Sequence, residues 1–380
     1  MRHLAIKKID IYILKEFVPF FFVGFSFFNL IFIIQKLIEM MDMIIVKKVA
    51  TFTVIKLFLF MLPFTFAITI PMSVLVAVLM GLGRISSDQE FIALLSAGAS
   101  YWQVIKMPLV FGIVMSLGMI TFNNYVLPWG NYNFKKTYYK DVYLKKPFSQ
   151  LQEHRLIKID NRTFGVDKID EKNNILYNLV IYEKDKKTGN LIITSAKQGA
   201  WLKNKKVKDK KGTIYQIMRL ELRNGSVQTY EGNEDPDFHV QKFNTFIITM
   251  KHKITEDVAV GKSAREMNFK ELKKLIVKTK KNKNFTYLDN LQVEYHKKIA
   301  LPFASFVFVI IGVALALLPK KTSVGYGLGI SLGLIFLYYL FLTIGESLGK
   351  SGKMIPFLAM WYSNFIFTIV GSVFLFRMSK

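Results

Sequence analysis

The sequence predicts an α-helical membrane protein with six transmembrane helices and an inserted extracytoplasmic all-β domain of jelly-roll-like type. Three observations predict it. First, six stretches contain no Asp, Glu, Lys or Arg: 17–34, 57–83, 107–134, 299–319, 322–345 and 354–376. At 1.5 Å per helical residue each can cross about 30 Å of hydrocarbon. Second, residues 135–298, between the third and fourth stretches, hold 36 Lys+Arg and 20 Asp+Glu. So polar a segment must fold outside the bilayer, because lipid cannot satisfy its backbone groups. Third, much of that insert reads as short runs rich in β-branched and aromatic residues. The mean hydropathy of +0.29 averages these unlike parts and hides both.

Taken in order, residues 1–134 carry the first three spans. Arg2, Lys7 and Lys8 precede the first one as in a signal peptide, but it continues through Phe32-Ile33-Ile34 without a small-residue cleavage pattern and is expected to be retained. Pro63, Pro71, Gly81 and Gly83 weaken the second span and would permit bending. Residues 135–260 form the β domain, with strands expected at 154–159, 175–183, 191–196, 213–222, 226–230 and 238–250. Turns are expected at Asn173-Asn174, Thr188-Gly189-Asn190, the Lys-rich 203–212 and Asn224-Gly225, the last as a type I′ hairpin. Many short strands at this spacing indicate a sandwich or jelly roll. Residues 261–298 are a helical connector: Asn268 with Glu271 makes a capping signature before the apolar face of Phe269, Leu272, Leu275 and Ile276. A second helix from Thr286 runs into the last three spans, 299–380.

Six spans put both termini on one side. The short segments there carry Arg2, Lys7, Lys8, Lys15, Arg84, Lys106, Lys320, Lys321, Arg377 and Lys380. The opposite short loops carry Lys36, Lys47, Lys48, Lys56, Lys350 and Lys353. The excess favours cytoplasmic termini.

Several chemistries are excluded. The chain has no cysteine, hence no disulfide or thiol nucleophile, and its five histidines match no metal spacing. Gly261-Lys262-Ser263 and Gly349-Lys350-Ser351 lack the upstream glycine of a phosphate-binding loop, since Glu256 and Ile344 stand there. The chain is therefore expected to bind no cofactor and to be no enzyme. The net charge of +25 lies mainly in the insert and does not call for nucleic acid. The spans carry almost no charge, which argues against ion-coupled transport. Glu346 stands near a boundary and reads as an interfacial acid. Energy for transport must then come from a separate ATPase.

A handle for such a partner lies between spans two and three, around 86–98. Ser87 and Glu90 read as a capping box opening a short helix that presents Phe91, Leu94 and Leu95 and stops at Gly98, with Arg84 and Asp88 beside it. A short amphipathic helix can dock in a groove of a soluble protein. Lys36, just past the apolar part of span one, could meet a lipid phosphate or simply snorkel. Gly325, Gly329 and Gly333 recur every fourth residue in span five, a smooth face for packing or for a gate.

Further motifs run the length of the chain: Tyr12 and Lys15-Glu16-Phe17; Leu62-Pro63 and Pro71-Met72; Gly83 to Glu90 followed by Ser96-Ala97-Gly98; Asn123-Asn124-Tyr125-Val126-Leu127-Pro128; Val293 to Pro302; and Ala359-Met360-Trp361. In this order, around a β insert, the sequence resembles the lipopolysaccharide export permeases of the LptF/LptG (YjgP/YjgQ) family. The resemblance implies an inner-membrane subunit paired with a second LptF/LptG-type permease on a cytoplasmic ATPase dimer, which would use the ATP and Mg. It implies a single-span LptC-like subunit and a periplasmic jelly-roll bridge protein that receives the lipopolysaccharide. By position, Glu90 falls at the family's coupling acid and Lys36 at its headgroup lysine. A sensor or scaffold with a ligand-binding β domain is the alternative; it gives the 86–98 helix no role.

Overall fold

The computed structural model describes residues 8–45, 49–143, 151, 153–159, 161–170, 173, 175–184, 190–208, 214–231, 237–254, 261–281, 285–317 and 324–378. Arg2, Lys7, Lys47, Lys48, Lys320, Lys321 and Lys380, which enter the orientation argument, lie outside the described residues, as do 209–213 of the expected basic turn and Thr188-Gly189. The chain forms two compact units, one of Met1–Glu39, Phe58–Phe134 and Lys262–Lys380, the other of Met40–Leu57 and Lys135–Gly261.

Eight helices are described: α1 (Lys8–Ile45), α2 (Thr51–Ser87), α3 (Glu90–Ser96), α4 (Tyr101–Thr137), α5 (Phe269–Lys281), α6 (Phe285–Ala316), α7 (Val324–Lys350) and α8 (Pro356–Met378). Six of them, all but α3 and α5, are long and apolar enough to cross a membrane. Each extends past its charge-free stretch at one end or both, because a helix satisfies its own backbone and continues into the polar boundary. Enclosure differs sharply. In the most apolar windows of α2 and α6, 83% and 78% of residues are buried, against 22% in α1 and 28% in α7. Helices α2 and α6 thus form the centre, with Leu75, Ala77, Val78, Ala304, Phe308 and Ala314 fully enclosed.

Small residues bring these helices together. A Cβ on Gly81 would lie 2.6 Å from the Cα of Phe17, and one on Gly112 would lie 2.8 Å from Val309 Cγ2. Gly81, expected to loosen α2, instead seats α1 against it. Buried polar side chains add specific ties, as hydrogen bonds between helices do in lipid. Asn29 Nδ2 donates to Thr69 at 3.1 Å, Tyr338 donates to Asn364 at 2.9 Å, and Asn364 donates to the Ala300 carbonyl at 3.0 Å.

The second unit contains one antiparallel sheet of β1 (Arg155–Ile159), β2 (Arg162–Asp170), β3 (Ile175–Lys184), β4 (Leu191–Lys208), β5 (Ile214–Glu231) and β6 (Asp237–Ile254). The spatial order is β1-β2-β3-β4-β5-β6, an up-and-down meander. The sequence indicated a sandwich or jelly roll; among the described strands each pairs with its chain neighbours in one sheet, the order that short connections produce.

Two turn expectations are corrected. Asn224-Gly225 is no hairpin, because β5 runs through it while pairing with β4 and β6 on both sides. The Lys-rich segment belongs to strand β4 as far as Lys208. The reason for the first lies across the whole sheet. The ladders skip one row, made of Asp167, Asn178, Lys197, Asn224 and Asn244, and Asn178 and Asn224 take left-handed φ of 49° and 53°. Asparagine tolerates that conformation. The row resets the side-chain alternation, so Leu176 and Leu179, three apart, both enter the core with Phe164, Ile181, Leu220 and Leu222. Gly225 is required beside the row: a Cβ there would meet the Ser195 carbonyl and lie 2.5 Å from the Phe243 ring. Strand β2 was missed because Gly165 and four charges dilute its pattern, although Phe164 and Val166 alternate correctly.

Candidate functional site

The loop between spans two and three shares an end of the helical unit with the start of α1 and of α4. Helix α2 continues to Ser87, with the amides of Asp88 and Gln89 still donating to Arg84 and Ser86 carbonyls at 2.9 and 3.2 Å. Gln89 then turns the chain with a left-handed φ of 58°, and α3 opens at Glu90. A non-glycine residue in that region costs about 1 kcal/mol. The sequence expected Ser87 to cap this helix; Gln89 is its N-cap instead and makes no side-chain cap bond, and Ser87 belongs to the last turn of α2. At the other end the sequence reading is right. Gly98, at φ 87°, donates to Leu95 and Ala99 donates to Leu94, both at 3.0 Å, a Schellman stop.

Glu90 points instead to span one, where it accepts a hydrogen bond from the Tyr12 hydroxyl. Two turns into α1, Glu16 is 13% exposed and pairs with Arg84 at 2.6 Å. Arg84 also reaches Asp88 at 3.5 Å, an exposed pair of little energetic weight. The buried Asp10 carboxylate accepts from Lys106 of α4 at 3.5 Å. Arg84, Asp88 and Glu90 are thus joined in one polar cluster with Tyr12 and Glu16, which the sequence offered only as motif residues without a role at this loop; Glu16 and Arg84 stand 68 residues apart, Tyr12 and Glu90 78.

The apolar face of α3 is also redistributed. Phe91 and Leu94 pack against the bundle core, and the Phe91 ring meets Tyr101 edge to face at 6.0 Å. Outward stand Ile92, 60% exposed, and Leu95, 37% exposed. The sequence presented Phe91, Leu94 and Leu95 as one face, but apolar residues surround this seven-residue helix, so periodicity could not choose.

Two other candidates lie apart from this cluster. The Lys36 ammonium donates to both carboxylate oxygens of Glu39, at 2.8 and 2.7 Å, on an exposed stretch of α1. A Cβ on Gly329 or Gly333 would meet nothing within 4 Å, and the packing of Gly325 lies outside the described residues. Helix α7 makes its close approach to α8 elsewhere, through Gly345 and Gly349.

At the opposite end is a charged cluster that the sequence did not reveal. Glu346, 18% exposed, accepts from Lys297 of α6 at 2.6 Å and from Lys350 at 2.5 Å. Glu294, 11% exposed, accepts from Lys350 at 3.2 Å and from Arg265 at 3.3 Å. Lys298 donates to the Asn123 carbonyl at 3.3 Å. Gly349-Lys350-Ser351 therefore ends a helix and spends its lysine on two carboxylates, unlike a phosphate loop, which precedes a helix. In the connector, Asn268 and Glu271 complete a capping box at 2.9 and 3.0 Å. Burial pushes the Glu271 carboxyl up, but the Lys262 hydrogen bond, the Asn268 amide and the Lys262 and Lys298 charges outweigh it and hold it below the ordinary value.

No curated protein sequence matches this chain. The family model described as lipopolysaccharide export system permease LptF/LptG matches residues 11–378, nearly the full length. That span runs from Ile11, just inside α1, to the end of α8. The chain belongs to the LptF/LptG family of lipopolysaccharide export permeases, multi-pass proteins of the inner membrane that act as transport subunits.

Proposed function

We propose that this chain is one of two permease halves that draw lipopolysaccharide from the outer leaflet of the inner membrane, driven by a separate cytoplasmic ATPase dimer. The observation that carries the proposal is α3, a seven-residue helix with Ile92 and Leu95 outward and Glu90 tied to span one. An exposed apolar pair on a helix so short is a docking element, because it is too small to contribute to a core of its own. Its acid and its link to α1 supply a way for ATP-driven motion to reach the spans. ATP and Mg belong to the partner, and this chain holds no cofactor.

Both termini and α3 lie in the cytoplasm in this reading, and the β sheet in the periplasm. The excess of basic residues in the short segments on the terminal side supports that orientation. The open apolar sides of α1 and α7, with Phe22, Leu30, Phe336 and Ile344 exposed, suit a lateral gate shared with the second permease. The unpacked Gly329 and Gly333 lie on one of those helices. Lys36 meets the phosphorylated headgroup by exchanging its surface pair with Glu39, which holds it weakly. The lipid then passes along the sheet to a periplasmic jelly-roll bridge protein, with a single-span LptC-like subunit beside it.

Purification in mild detergent tests the proposal. A co-purifying ATPase whose association is lost in Glu90→Lys supports it. Wild-type chain that reproducibly binds no ATPase, or Glu90→Lys that retains docking and lipid release, would refute the coupling role.

A further inference from the structure

We infer that Tyr12 is a positioning residue that makes α3 move with the first span. The inference rests on the reading of α3 as the coupling helix and names the element that receives its motion. Three observations converge on it. The covalent joint between α2 and α3 is Asp88-Gln89, with Gln89 left-handed and without a side-chain cap bond, so helical hydrogen bonding does not carry α2 into α3. The side-chain tie of α3 at this turn runs to α1, from the Tyr12 hydroxyl to Glu90, whereas Glu16 pairs with Arg84 of α2 at 2.6 Å. The two candidate receivers also differ in freedom, since 83% of the apolar window of α2 is buried and only 22% of that of α1.

A push on α3 therefore reaches α1 through Glu90 and Tyr12. The Asp10–Lys106 pair, at 3.5 Å, gives α1 a pivot on α4 at the same end, with Tyr12 and Glu16 just beyond it. Moving α1 moves the open apolar face that carries Phe22 and Leu30 and, farther along, Lys36.

The absence of native cysteine permits direct spin labelling. Labels placed by Phe22→Cys on α1 and Ile92→Cys on α3, both exposed positions, report the distance between these helices in the full-length chain in nanodiscs. A narrow distance distribution is expected, broadening into several populations in Tyr12→Phe. An unchanged distribution in Tyr12→Phe overturns the inference, whether or not an ATPase is involved. Should Tyr12→Phe fail to accumulate, Glu90→Gln, which weakens the same hydrogen bond from the other side, is read by the same criterion. In the chain's complex with its ATPase, lipid released per ATP hydrolysed should fall about tenfold in Tyr12→Phe, the size expected for losing one hydrogen bond to a charged acceptor. Adding Tyr12→Phe to Glu90→Gln should cause no further fall. Release and hydrolysis falling in equal proportion would show a merely structural role and overturn the inference. A chain that binds no ATPase refutes the proposed function, while the spin-label result still decides this inference.

Discussion

Replacing Glu346 with Gln tests the charged cluster between α6 and α7. Its carboxylate holds Lys297 at 2.6 Å and Lys350 at 2.5 Å, with the three side chains 18%, 26% and 28% exposed. A hydrogen bond to a charged group contributes about 1.5–3 kcal/mol when enclosed, so two would give about 3–6 kcal/mol. Water reaches roughly a quarter of each lysine side chain, Lys350 keeps Glu294, and a glutamine oxygen still accepts one bond. Those three effects leave about 2 kcal/mol. The assay is equilibrium unfolding of the full-length chain in mixed micelles, run as a double-mutant cycle with Lys297→Met. A coupling energy of about 1 kcal/mol or more is expected. Additive effects, with Lys297→Met alone neutral, would refute the argument that this pair joins α6 to α7.

Gly345→Val should destabilise the chain by about 3 kcal/mol or more, because its side chain would strike the Ala359 carbonyl and the Tyr362 ring. Gly329→Ala, with nothing within 4 Å, should leave the isolated chain unchanged or more stable by up to about 1 kcal/mol, both read by the same unfolding assay. The low pKa of Glu271 makes α5 sensitive to acid: its contribution is present above the ordinary value of 4.5 and is lost as pH falls through the depressed folded value. Hydrogen exchange of Leu272 to Leu275 should accelerate over that lower range in wild type, and the step should be missing in Glu271→Gln. Lys36→Glu should lower photo-crosslinking of the lipid headgroup near that position several-fold, about the effect of reversing one partly screened charge; unchanged crosslinking would return Lys36 to a surface anchor.

The spans were legible because exclusion of charge over 18 or more residues is a strong and local signal. The connector was legible for a similar reason, since Asn268 and Glu271 meet only three residues apart. The sheet was half legible. Asn224-Gly225 has the composition of a turn, yet its left-handed asparagine serves a row that resets five strands, a property of neighbours far away in sequence. Both charged clusters were invisible for the same reason: Glu346 finds Lys297 across 49 residues and Glu90 finds Tyr12 across 78. Glycine spacing did not say which glycines pack within the chain: a Cβ on Gly329 or Gly333 would meet nothing within 4 Å, whereas Gly345 lies against α8.

The central claim, that this LptF/LptG-family chain releases lipopolysaccharide through motion delivered at α3, is tested most directly by reconstitution. The purified complex in proteoliposomes loaded with lipopolysaccharide should release lipid to a soluble periplasmic acceptor only with ATP, and Glu90→Lys should abolish that release. Release that proceeds without ATP, or that persists in Glu90→Lys at the wild-type rate, would contradict it.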